Sequence, residues 1–288
     1  MPAPTVALAT SADQLGRDVE LGLVTDALAE LGIEATAVAW DEPDHDWAAH
    51  DLVVVRSCWD YTGRLEEFLG WARSVAHLAN PVEVLEWNTD KTYLRDLDAR
   101  GCPVIETVWD PTDVAELGDH GEWVCKPSVS AGSRDTARWD DAADALRHAR
   151  EIVASGRTAM VQPYVASVDD EGETAMLFVD GAFSHSIRKG PLLTRGEGVR
   201  QDRDSRGDVT PRTPTPEQHD AARAALDVVA TAVPSAGPLL YARVDLVTSE
   251  DGLPRVIELE LTEPGLFLPW VDGAAERLAG AIRSRLSQ

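Results

Sequence analysis

The stretch RVIELELTEPG, residues 255–265, decides the fold of the C-terminal part of the chain. In a β-strand the side chains alternate between the two faces, so the apolar residues, Ile257 among them, would point to one side. Glu258 and Glu260 would point to the other side, about 6.6 Å apart along the strand. Two carboxylates at that distance repel by on the order of 2–3 kcal/mol at an effective dielectric constant of about 20. The stretch therefore predicts a strand whose carboxylates need a cation, a proton or full exposure to water.

A second strand and a turn precede this stretch, and together they predict a β-hairpin. The segments YARVDLV and RVIELEL flank Asp-Gly at 251–252, a strong signal for a two-residue turn. With that turn, Asp245 lies opposite Glu258 and Arg243 lies opposite Glu260. Three carboxylates and one guanidinium are then expected on one face of two adjacent strands.

These oxygen-bearing side chains suit a hard divalent cation, Mg²⁺ or alternatively Mn²⁺, and make Asp245, Glu258 and Glu260 candidate metal ligands. One alternative is a solvated acidic sheet face on which Arg243 neutralises its neighbours. Another is a slipped register, because Pro254 would enlarge the turn. The hairpin alone leaves these interpretations open.

The composition narrows the class of protein. The chain has 288 residues, 44% of them hydrophobic, which predicts a globular protein with two domains or one large multi-lobed domain. A formal net charge of −24 argues against binding to nucleic acid or to an anionic membrane through a basic face. Neither a signal peptide nor an apolar run of about 20 residues is recognisable. The three cysteines, without CxxC spacing, argue against a disulfide framework or zinc site and fit a reducing cytoplasm.

The order of the secondary-structure patterns predicts an α/β fold. Strands alternate with helices over about the first 85 residues, which is typical of a doubly wound parallel sheet. In this part we expect strands at 5–10, 33–39, 51–55 and 82–85 and helices near 18–31 and 64–79. Further along we expect helices near 90–100, 140–155, 217–233 and 273–286, and strands near 104–108, 122–126, 158–162, 174–179 and 182–188. The stretch 194–216, rich in Gly, Pro, Arg and Asp, predicts a long mobile loop.

A magnesium site with few protein ligands usually accompanies a nucleotide, so a phosphate-binding segment is expected. The sequence contains neither GxxxxGK[ST] nor GxGxxG after the first strand, which excludes a P-loop and a dinucleotide-binding motif. In WVCKPSVSAGSRDT, residues 123–136, a strand leads to Lys126 and a loop of small residues follows: Ser128, Ser130, Gly132 and Ser133. Such a loop offers backbone N–H groups and hydroxyls to an anion, although segments of this composition are usually ordinary turns.

Lysine is rare in this sequence. Only three of the 26 basic residues are lysines, Lys91, Lys126 and Lys189, and arginine supplies the rest. A lysine kept against that bias indicates a place where a compact ammonium fits and a forked guanidinium does not. The bias points to these three residues as functional cations, with chance as the alternative.

The order of these motifs resembles that of the ATP-grasp superfamily. Lys91 lies in NTDKTYL and Lys126 in CKPSVSAGS, VQPYV follows at 161–165, then Glu173, and finally YARVD and IELEL. The chain looks most similar to the carboxylate–amine ligases related to D-alanine–D-alanine ligase, glutathione synthetase and the RimK-type ligases. The resemblance implies an N-terminal α/β domain at 1–87, a small ATP-grasp lobe at 88–165 and a large α+β lobe at 166–288 that carries the metal site.

The resemblance also implies roles in nucleotide binding. Lys91 and Lys126 would reach the phosphates of ATP, and the loop from Ser128 to Ser133 would close over them. The remaining contacts implied are Gln162, Tyr164 and Val165 at the adenine and Glu173 at the ribose hydroxyls.

Further roles concern the metal and the reaction. Asp245, Glu258 and Glu260 would bind Mg²⁺, although the family commonly has Asn at the last of these positions. Arg243 would hold the substrate carboxylate, with charge balance for Glu260 as the alternative. Lys189 and Arg188 are, with Arg243, the candidate catalytic residues, which would act on phosphate or substrate. Arg200 is a candidate for substrate binding, with an exposed loop cation as the alternative.

A candidate substrate site lies in VVVRSCWDYTGR, where a hydrophobic strand ends at Arg56. In open α/β sheets, ligand sites gather at the carboxyl ends of strands. Arg56 suits a carboxylate and Asp60 an ammonium group, while Tyr61 and Trp59 would wall the pocket, with a packed core position as the alternative for Trp59. Glu263, after the metal strand, is either a substrate contact or a cap. The RSCWDY segment, with IELELTEPGLFLPW, resembles a narrower ATP-grasp group, the cyclo-ligases of cycloserine biosynthesis, which close O-ureidoserine into a ring.

The resemblance implies an ATP-dependent, ADP-forming ligase. It would activate the carboxylate of an amino-acid-like substrate as an acyl phosphate for attack by an amine, with intramolecular cyclisation as one option. Mg²⁺ and lysines would neutralise the repulsion between carboxylate and polyphosphate. The alternatives are an ATP-grasp kinase and a non-catalytic nucleotide-binding module. We expect a small-molecule partner, no nucleic acid, no membrane and a cytoplasmic location, and we leave a homodimer open.

Overall fold

The computed structural model describes residues 2–201 and 208–287 and begins with a four-stranded parallel sheet. Its strands, in the order β2-β1-β3-β4, are β1 (Thr5–Thr10), β2 (Glu34–Ala39), β3 (Leu52–Val55) and β4 (Leu78–Ala79). The helices of this part are α1 (Val19–Glu30), α2 (Leu65–Ser74) and α3 (Val82–Asn88). Val6 and Leu8 of β1 pack with α1, whereas Ala7 and Ala9 pack with α2 on the other face. The predicted doubly wound parallel sheet is confirmed.

The expected strand at 82–85 is wrong. Pro81 instead precedes helix α3, whose buried residues are Val84, Leu85 and Asn88. This spacing is that of one helix face. The Val-Glu-Val alternation that indicated a strand is too short to distinguish the two-residue period of a strand from the helical period. The fourth strand is the two-residue β4, and α2 ends earlier than the expected residue 79.

A second sheet, which is antiparallel, lies in the middle of the chain. Its strands, in the order β5-β8-β6-β7, are β5 (Val108–Trp109), β6 (Trp123–Pro127), β7 (Ala137–Trp139) and β8 (Ala159–Pro163). Helix α4 (Tyr93–Ala99) precedes the sheet, and α5 (Ala142–Ala154) packs on it. The expected strand at 104–108 is shorter than predicted, because Val104 instead forms a parallel bridge with Val256. Strand β7 was not predicted, since three residues are too few to show a period.

The third sheet is antiparallel and contains the predicted hairpin. Its strands, in the order β11-β10-β9-β12-β13, are β9 (Glu173–Val179), β10 (Ala182–Lys189), β11 (Val209–Pro211), β12 (Tyr241–Thr248) and β13 (Pro254–Glu260). The helices around it are α6 (Ser167–Asp170), α7 (Pro216–Ala232) and α8 (Ala274–Leu286). Strand β11 lies within the expected loop 194–216, of which residues 202–207 are outside the described residues. Among the residues described, no helix is both long and apolar enough to cross a membrane.

The predicted pairing of the hairpin is confirmed at the carboxylates. Arg243 lies opposite Glu260, and Asp245 lies opposite Glu258. The turn is longer than expected, because three residues, 250–252, lie between its hydrogen-bonded ends. The sequence signal therefore located the turn but not its length.

A β-bulge compensates for the longer turn. Beyond Asp245 the pairing shifts by one residue, so that Leu246 lies opposite Val256 and Ile257 is the extra residue. Ile257 is half-buried and lines the same cavity as Glu258. The expectation that Ile257 points away from the glutamates is therefore wrong, and the bulge adds an apolar side chain to the acidic face.

The two asparagines of the whole sequence both connect the N-terminal part of the chain to this hairpin. The amide of Asn80 donates to the carbonyl oxygens of Tyr241 and Leu261 at 2.9 and 2.8 Å, and it accepts the Leu240 N–H at 2.7 Å. Asn88 accepts the Leu261 N–H at 2.7 Å and donates to another carbonyl oxygen of β13. Both side chains are buried. Because buried backbone groups need partners, these two amides fix the hairpin against the parallel sheet.

We expect Asn80→Ala to lower the free energy of unfolding by about 3 kcal/mol or more, since each of three buried backbone groups left unpaired costs about 1–3 kcal/mol. Urea denaturation followed by circular dichroism measures the change. The control is Glu86→Ala, which removes an exposed ion pair with Arg73 and should cost about 1 kcal/mol or less. Equal losses in the two variants would contradict the structural role of Asn80.

Candidate active site

A cavity of about 860 Å³ is lined by residues from all three sheets or from the loops that follow their strands. This volume lies within the range of small-molecule binding sites, about 300–1,000 Å³. Its apolar lining includes Ile105, Val165, Val168, Val247 and Ile257. Its charged lining includes Lys91, Lys126, Glu173, Lys189, Arg243, Glu258 and Glu260. A third group consists of Trp59, Tyr61, Glu263, Phe267 and Trp270.

All three lysines of the chain line this one cavity. Lys91 lies between α3 and α4, Lys126 in β6, and Lys189 at the end of β10. Three separate elements therefore direct an ammonium group to the same place. The lysines that the composition singled out share a single site.

Asp245, Glu258 and Glu260 converge on the face of the hairpin beside these lysines. Oxygen atoms of the three carboxylates lie within 4.8 Å of one another. Arg243 donates from Nε and Nη2 to the two oxygens of Asp245, each at 2.9 Å, and from Nη2 to Glu260. One guanidinium is therefore shared between two of the three carboxylates.

Lys189 pairs with two carboxylates at once. Its Nζ lies 2.6 Å from an oxygen of Asp245 and 2.6 Å from an oxygen of Glu173. Burial alone would lower the pKa of Lys189, but these carboxylates raise it above its ordinary value. Burial would likewise raise the pKa of Asp245, but Arg243 and Lys189 lower it. Asp245 is therefore an ionised carboxylate held between two cations.

Glu258 faces Lys91, with 3.2 Å between the carboxylate oxygen and Nζ. The Lys91 ammonium also donates to the Ser130 carbonyl oxygen at 2.6 Å, which connects the hairpin to the small-residue loop. Burial would raise the pKa of Glu258, but Lys91 and Lys126 lower it. Glu258 therefore stays ionised.

Lys126 differs from the other two lysines. Among residues 2–201 and 208–287, nothing forms a hydrogen bond or an ion pair with its ammonium group. Burial lowers its pKa, which the attraction of Glu258 opposes. A half-buried ammonium that lines a cavity without a partner favours the binding of an anion there.

Glu260 is the least compensated of the three carboxylates. Burial raises its pKa to about 7 against the attraction of Arg243, and the charges of Glu258 and Asp245 contribute to the rise. The cluster therefore has room for further positive charge.

The donor set fits a hard divalent cation. Three carboxylates supply oxygen ligands, which Mg²⁺ prefers. Their spread of 4.8 Å is close to the separation of about 4 Å between opposite oxygens at Mg–O distances of about 2.1 Å. Asp245 and Glu260 are paired with Arg243 or Lys189, and Glu258 is paired with Lys91, so these cations stand where a metal would add its charge.

An apolar slot adjoins the carboxylates. Its buried side chains are Ile105, Val168 and Val247, with Tyr164, Val165 and Ile257 packed against them. Gln162 lines the cavity next to this slot, and its amide donates to Thr107 Oγ1 at 2.9 Å. The ring of Tyr164 lies under the Arg138 guanidinium, 3.4 Å from the ring centre, and its hydroxyl donates to Asp169 at 2.5 Å. These contacts fix the side chains that form the walls of the slot.

Three of the four residues expected in the small-residue loop line the cavity, namely Ser130, Gly132 and Ser133. Gly132 and Ser133 adopt left-handed backbone conformations, with φ of 61° and 59°. Such a conformation is uncommon for serine. Ser128 is outside the lining, because its backbone N–H and carbonyl groups join Thr158 and Lys91 instead.

Arg188 does not face the cavity. Adjacent residues of a strand point to opposite faces, and in β10 it is Lys189 that lines the cavity. Arg188 instead donates to the Glu171 carbonyl oxygen at 2.8 Å and pairs with Asp208 at 3.0 Å. The expected catalytic role of Arg188 does not fit this position.

Arg56 and Asp60 are also outside the lining, so neither meets the expectation of a substrate contact. Arg56 is buried, and its Nη2 donates to Glu20 at 2.8 Å and to the Pro264 carbonyl oxygen at 3.2 Å. Asp60 accepts hydrogen bonds from an indole N–H and from Arg64. Both charged groups are therefore paired within the protein, Arg56 with the distant Glu20 and Asp60 with the nearby Arg64.

Arg200 lies beside the small-residue loop and outside the cavity lining. Its backbone N–H donates to the Thr136 carbonyl oxygen at 3.0 Å, and its own carbonyl oxygen accepts the Asp135 N–H at 2.8 Å. Its guanidinium donates to the carbonyl oxygen of Leu192, which does line the cavity. Arg200 thus connects two segments of the rim.

Several lining residues were missed by the sequence reasoning. They follow β1, as Asp13, Gln14 and Arg17 do, or follow β13, as Phe267 and Trp270 do. For Phe267 and Trp270, the aromatic residues of GLFLPW were the sequence signal that could have indicated a binding site. Trp59 also lines the cavity, and its indole N–H donates to the Glu263 carbonyl oxygen at 3.0 Å. The core position considered for Trp59 is therefore wrong.

Comparison with known proteins relates this fold and site to one family. A family model described as the N-terminal domain of D-cycloserine synthetase DcsG matches residues 6–82. The cycloserine biosynthesis protein DcsG of Streptomyces lavendulae is 36% identical, and the alignment covers 98% of each chain.

Solved structures of known proteins also have a fold similar to that of this chain. The crystal structure of D-cycloserine synthetase DcsG has a TM-score of 0.90 at 34% identity, covering 98% of this chain and 99% of the other. The ATP-grasp ligase PsnB, complexed with a minimal precursor, Mg and ADP, has a TM-score of 0.64 at 17% identity, with 98% of each chain covered, and shares the fold. The chain belongs to the DcsG family of ATP-grasp ligases.

Proposed function

We propose that this ATP-grasp ligase closes a ring in the D enantiomer of O-ureidoserine. The observation that carries the proposal is that the three-carboxylate cluster borders one cavity, which two of its members, Glu258 and Glu260, line together with three lysines. Membership of the DcsG family supports the choice of substrate, since the relatives are named for D-cycloserine synthesis. The substrate is thus an amino acid, and we propose a cytoplasmic enzyme that acts on small molecules, with a homodimer left open.

The nucleotide contacts follow from the charges and shapes in the cavity. Lys126 and Lys91 neutralise the phosphates of ATP, and Lys126 is favoured because it has no partner among the described residues. The small-residue loop at 130–133 covers the phosphates with backbone N–H groups. The apolar slot takes the adenine beside Gln162, Tyr164 and Val165, and Glu173 accepts the ribose hydroxyls.

Asp245, Glu258 and Glu260 would hold the Mg²⁺ ion, with Mn²⁺ as the alternative ion. When bound, the ion lowers the charge repulsion between the substrate carboxylate and the terminal phosphate. Lys189 and Arg243 keep Asp245 ionised and in place, so the ligand set is preformed.

Arg243 has a second task in the proposed reaction. Its Nη1 donates to the Gly265 carbonyl oxygen at 3.1 Å, which fixes the guanidinium plane at the cavity wall. Arginine suits bidentate recognition of a carboxylate, so Arg243 orients the substrate carboxylate and stabilises the negative oxygen that develops during acyl transfer.

The proposed reaction has two steps. A carboxylate oxygen of the substrate takes the terminal phosphoryl group of ATP, and ADP leaves. The substrate nitrogen that is bonded to oxygen then attacks the acyl carbon, inorganic phosphate leaves, and the nitrogen loses its proton. The new C–N bond closes a five-membered ring.

We expect purified enzyme to release ADP when ATP, Mg²⁺ and the D enantiomer of O-ureidoserine are present, together with a cyclised product seen by mass spectrometry. A kinase would release ADP and yield a stable phosphorylated substrate instead. A nucleotide-binding module would release no ADP at all. Either of these results would reject ring closure as the function.

Glu258→Gln should reduce Mg²⁺-dependent turnover by about 100-fold or more, because it removes a charged metal ligand from the reaction centre. The matched control is Glu250→Gln, an exposed position in the turn of the same hairpin. ADP release at saturating ATP measures the effect, and circular dichroism checks that the fold is intact. Unchanged turnover in a folded Glu258→Gln enzyme would rule out the metal assignment.

Lys126→Met should raise the KM for ATP by about 10-fold or more, because a charge-assisted contact to phosphate contributes about 1.5–3 kcal/mol. The free energy of unfolding should change by about 1 kcal/mol or less, since the half-buried ammonium forms no hydrogen bond or ion pair within the described residues and attracts Glu258 only from a distance. The control is Arg100→Met, which removes an exposed cation directly after α4. An unchanged KM for ATP with a lowered stability would show that Lys126 is a structural residue.

A further inference from the structure

Glu263 is an acidic residue of the cavity that the proposed function leaves without a task. It lies three residues beyond Glu260, lines the cavity and is only 9% exposed. Its backbone carbonyl oxygen accepts the Trp59 indole N–H, and its carboxyl group faces the side chain of Tyr61. Two residues that follow β3 thus hold Glu263 at the cavity wall.

The other buried acid of the cavity lining, and all but one of the half-buried ones, have a cationic partner. The exception is Asp18, which caps helix α1 and accepts the Glu20 N–H at 2.9 Å. The pairs are Glu20 with Arg56, Glu173 with Lys189, Glu258 with Lys91 and Glu260 with Arg243. Glu263 forms no ion pair within the part of the chain that the structure describes. It is therefore a buried carboxyl group whose missing partner is a cation.

An unpaired carboxylate in such a place is unfavourable for the protein alone. Burial raises the pKa of Glu263 to about 8, the charge of Glu260 adds to the rise, and the Tyr61 side chain opposes it. A ligand cation that enters the cavity would compensate the carboxylate and make its ionised form favourable again.

The place of Glu263 relative to Arg243 defines which cation fits. Arg243 is fixed by the Gly265 carbonyl oxygen, two residues after Glu263. The segment 263–265 therefore has a guanidinium beside it, that of Arg243, which can bind a carboxylate. It also carries a carboxylate, that of Glu263, which can bind a cation. An α-amino acid carries its carboxylate and its ammonium group on the same carbon atom, so its charges match this pair.

We infer that Glu263 binds the α-ammonium group of the substrate and so restricts the ligase to α-amino acids. This inference rests on the proposed function. It assigns to Glu263 the task that the sequence suggested for Asp60, whose carboxylate is instead taken by Arg64. Trp59 and Tyr61 form the walls on either side of the ammonium group.

The experiment compares two substrates and three variants. The substrates are the D enantiomer of O-ureidoserine and 3-(ureidooxy)propanoic acid, which has the same skeleton without the amino group. The variants are Glu263→Gln, the competing candidate Asp60→Asn and the surface control Glu86→Gln. We expect Glu263→Gln to raise the KM for the amino acid by about 30-fold or more, with a much smaller change in kcat and in the KM for ATP.

The analogue separates binding of the ammonium group from a structural effect. Its KM should be the same for wild type and Glu263→Gln, and wild type should prefer the amino acid by a factor similar to the loss in the variant. The wild-type comparison needs no variant and holds even if Glu263→Gln fails to fold.

Four results would overturn the inference. An equal KM increase for both substrates would make Glu263 a structural residue. A KM increase from Asp60→Asn with none from Glu263→Gln would return the task to Asp60. If wild type turned over neither compound, the proposed function would fail and the inference with it, whereas an active wild type without preference for the amino acid would reject the inference alone.

Discussion

The charge balance on the β12–β13 hairpin determines how the rest of the active site is arranged. Two unit charges about 4 Å apart interact by about 4 kcal/mol at an effective dielectric constant of about 20, so neighbouring buried carboxylates stay ionised only beside cations. Arg243, Lys189 and Lys91 supply this compensation from three different elements. Because each must reach the same face of the hairpin, β10 and the α3–α4 segment meet at one cavity. The cavity is thus a consequence of the cluster that the hairpin creates.

The parallel sheet contributes the position of the hairpin and of the segment that follows it. Asn80 and Asn88 bind the backbone of β12 and β13 from one side. Glu20 accepts the N–H groups of Leu266 and Leu268, and Arg56 donates to the Pro264 carbonyl oxygen. These contacts hold residues 264–268, which complete the cavity wall. The N-terminal sheet therefore positions the segment after β13, whereas the charged groups of the cavity come from the C-terminal sheet, from β6 and from the α3–α4 segment.

Local patterns in the sequence predicted much of this arrangement. Strand alternation placed Asp245 opposite Glu258 correctly. The turn is one residue longer than predicted and a bulge restores the pairing, and neither feature leaves a clear periodic signal in the sequence. The rarity of lysine pointed to residues that do line one cavity. Long-range pairing was not predictable: Arg56 reads as a free cation at a strand end, yet its partner Glu20 lies in a helix 36 positions away. For the same reason the domain bounds and the roles of single residues stay predictions.

The proposed reaction depends most on one feature, the binding of a metal ion by the hairpin carboxylates beneath the phosphates of ATP. The most direct measurement is a crystal structure with a non-hydrolysable ATP analogue and Mn²⁺, whose anomalous scattering locates the ion. We predict a peak about 2.2 Å from oxygens of Asp245, Glu258 and Glu260, with the Lys126 ammonium at the phosphates. A nucleotide bound in the cavity with the manganese peak elsewhere, and with Asp245 still held by Arg243 and Lys189 alone, would contradict the claim.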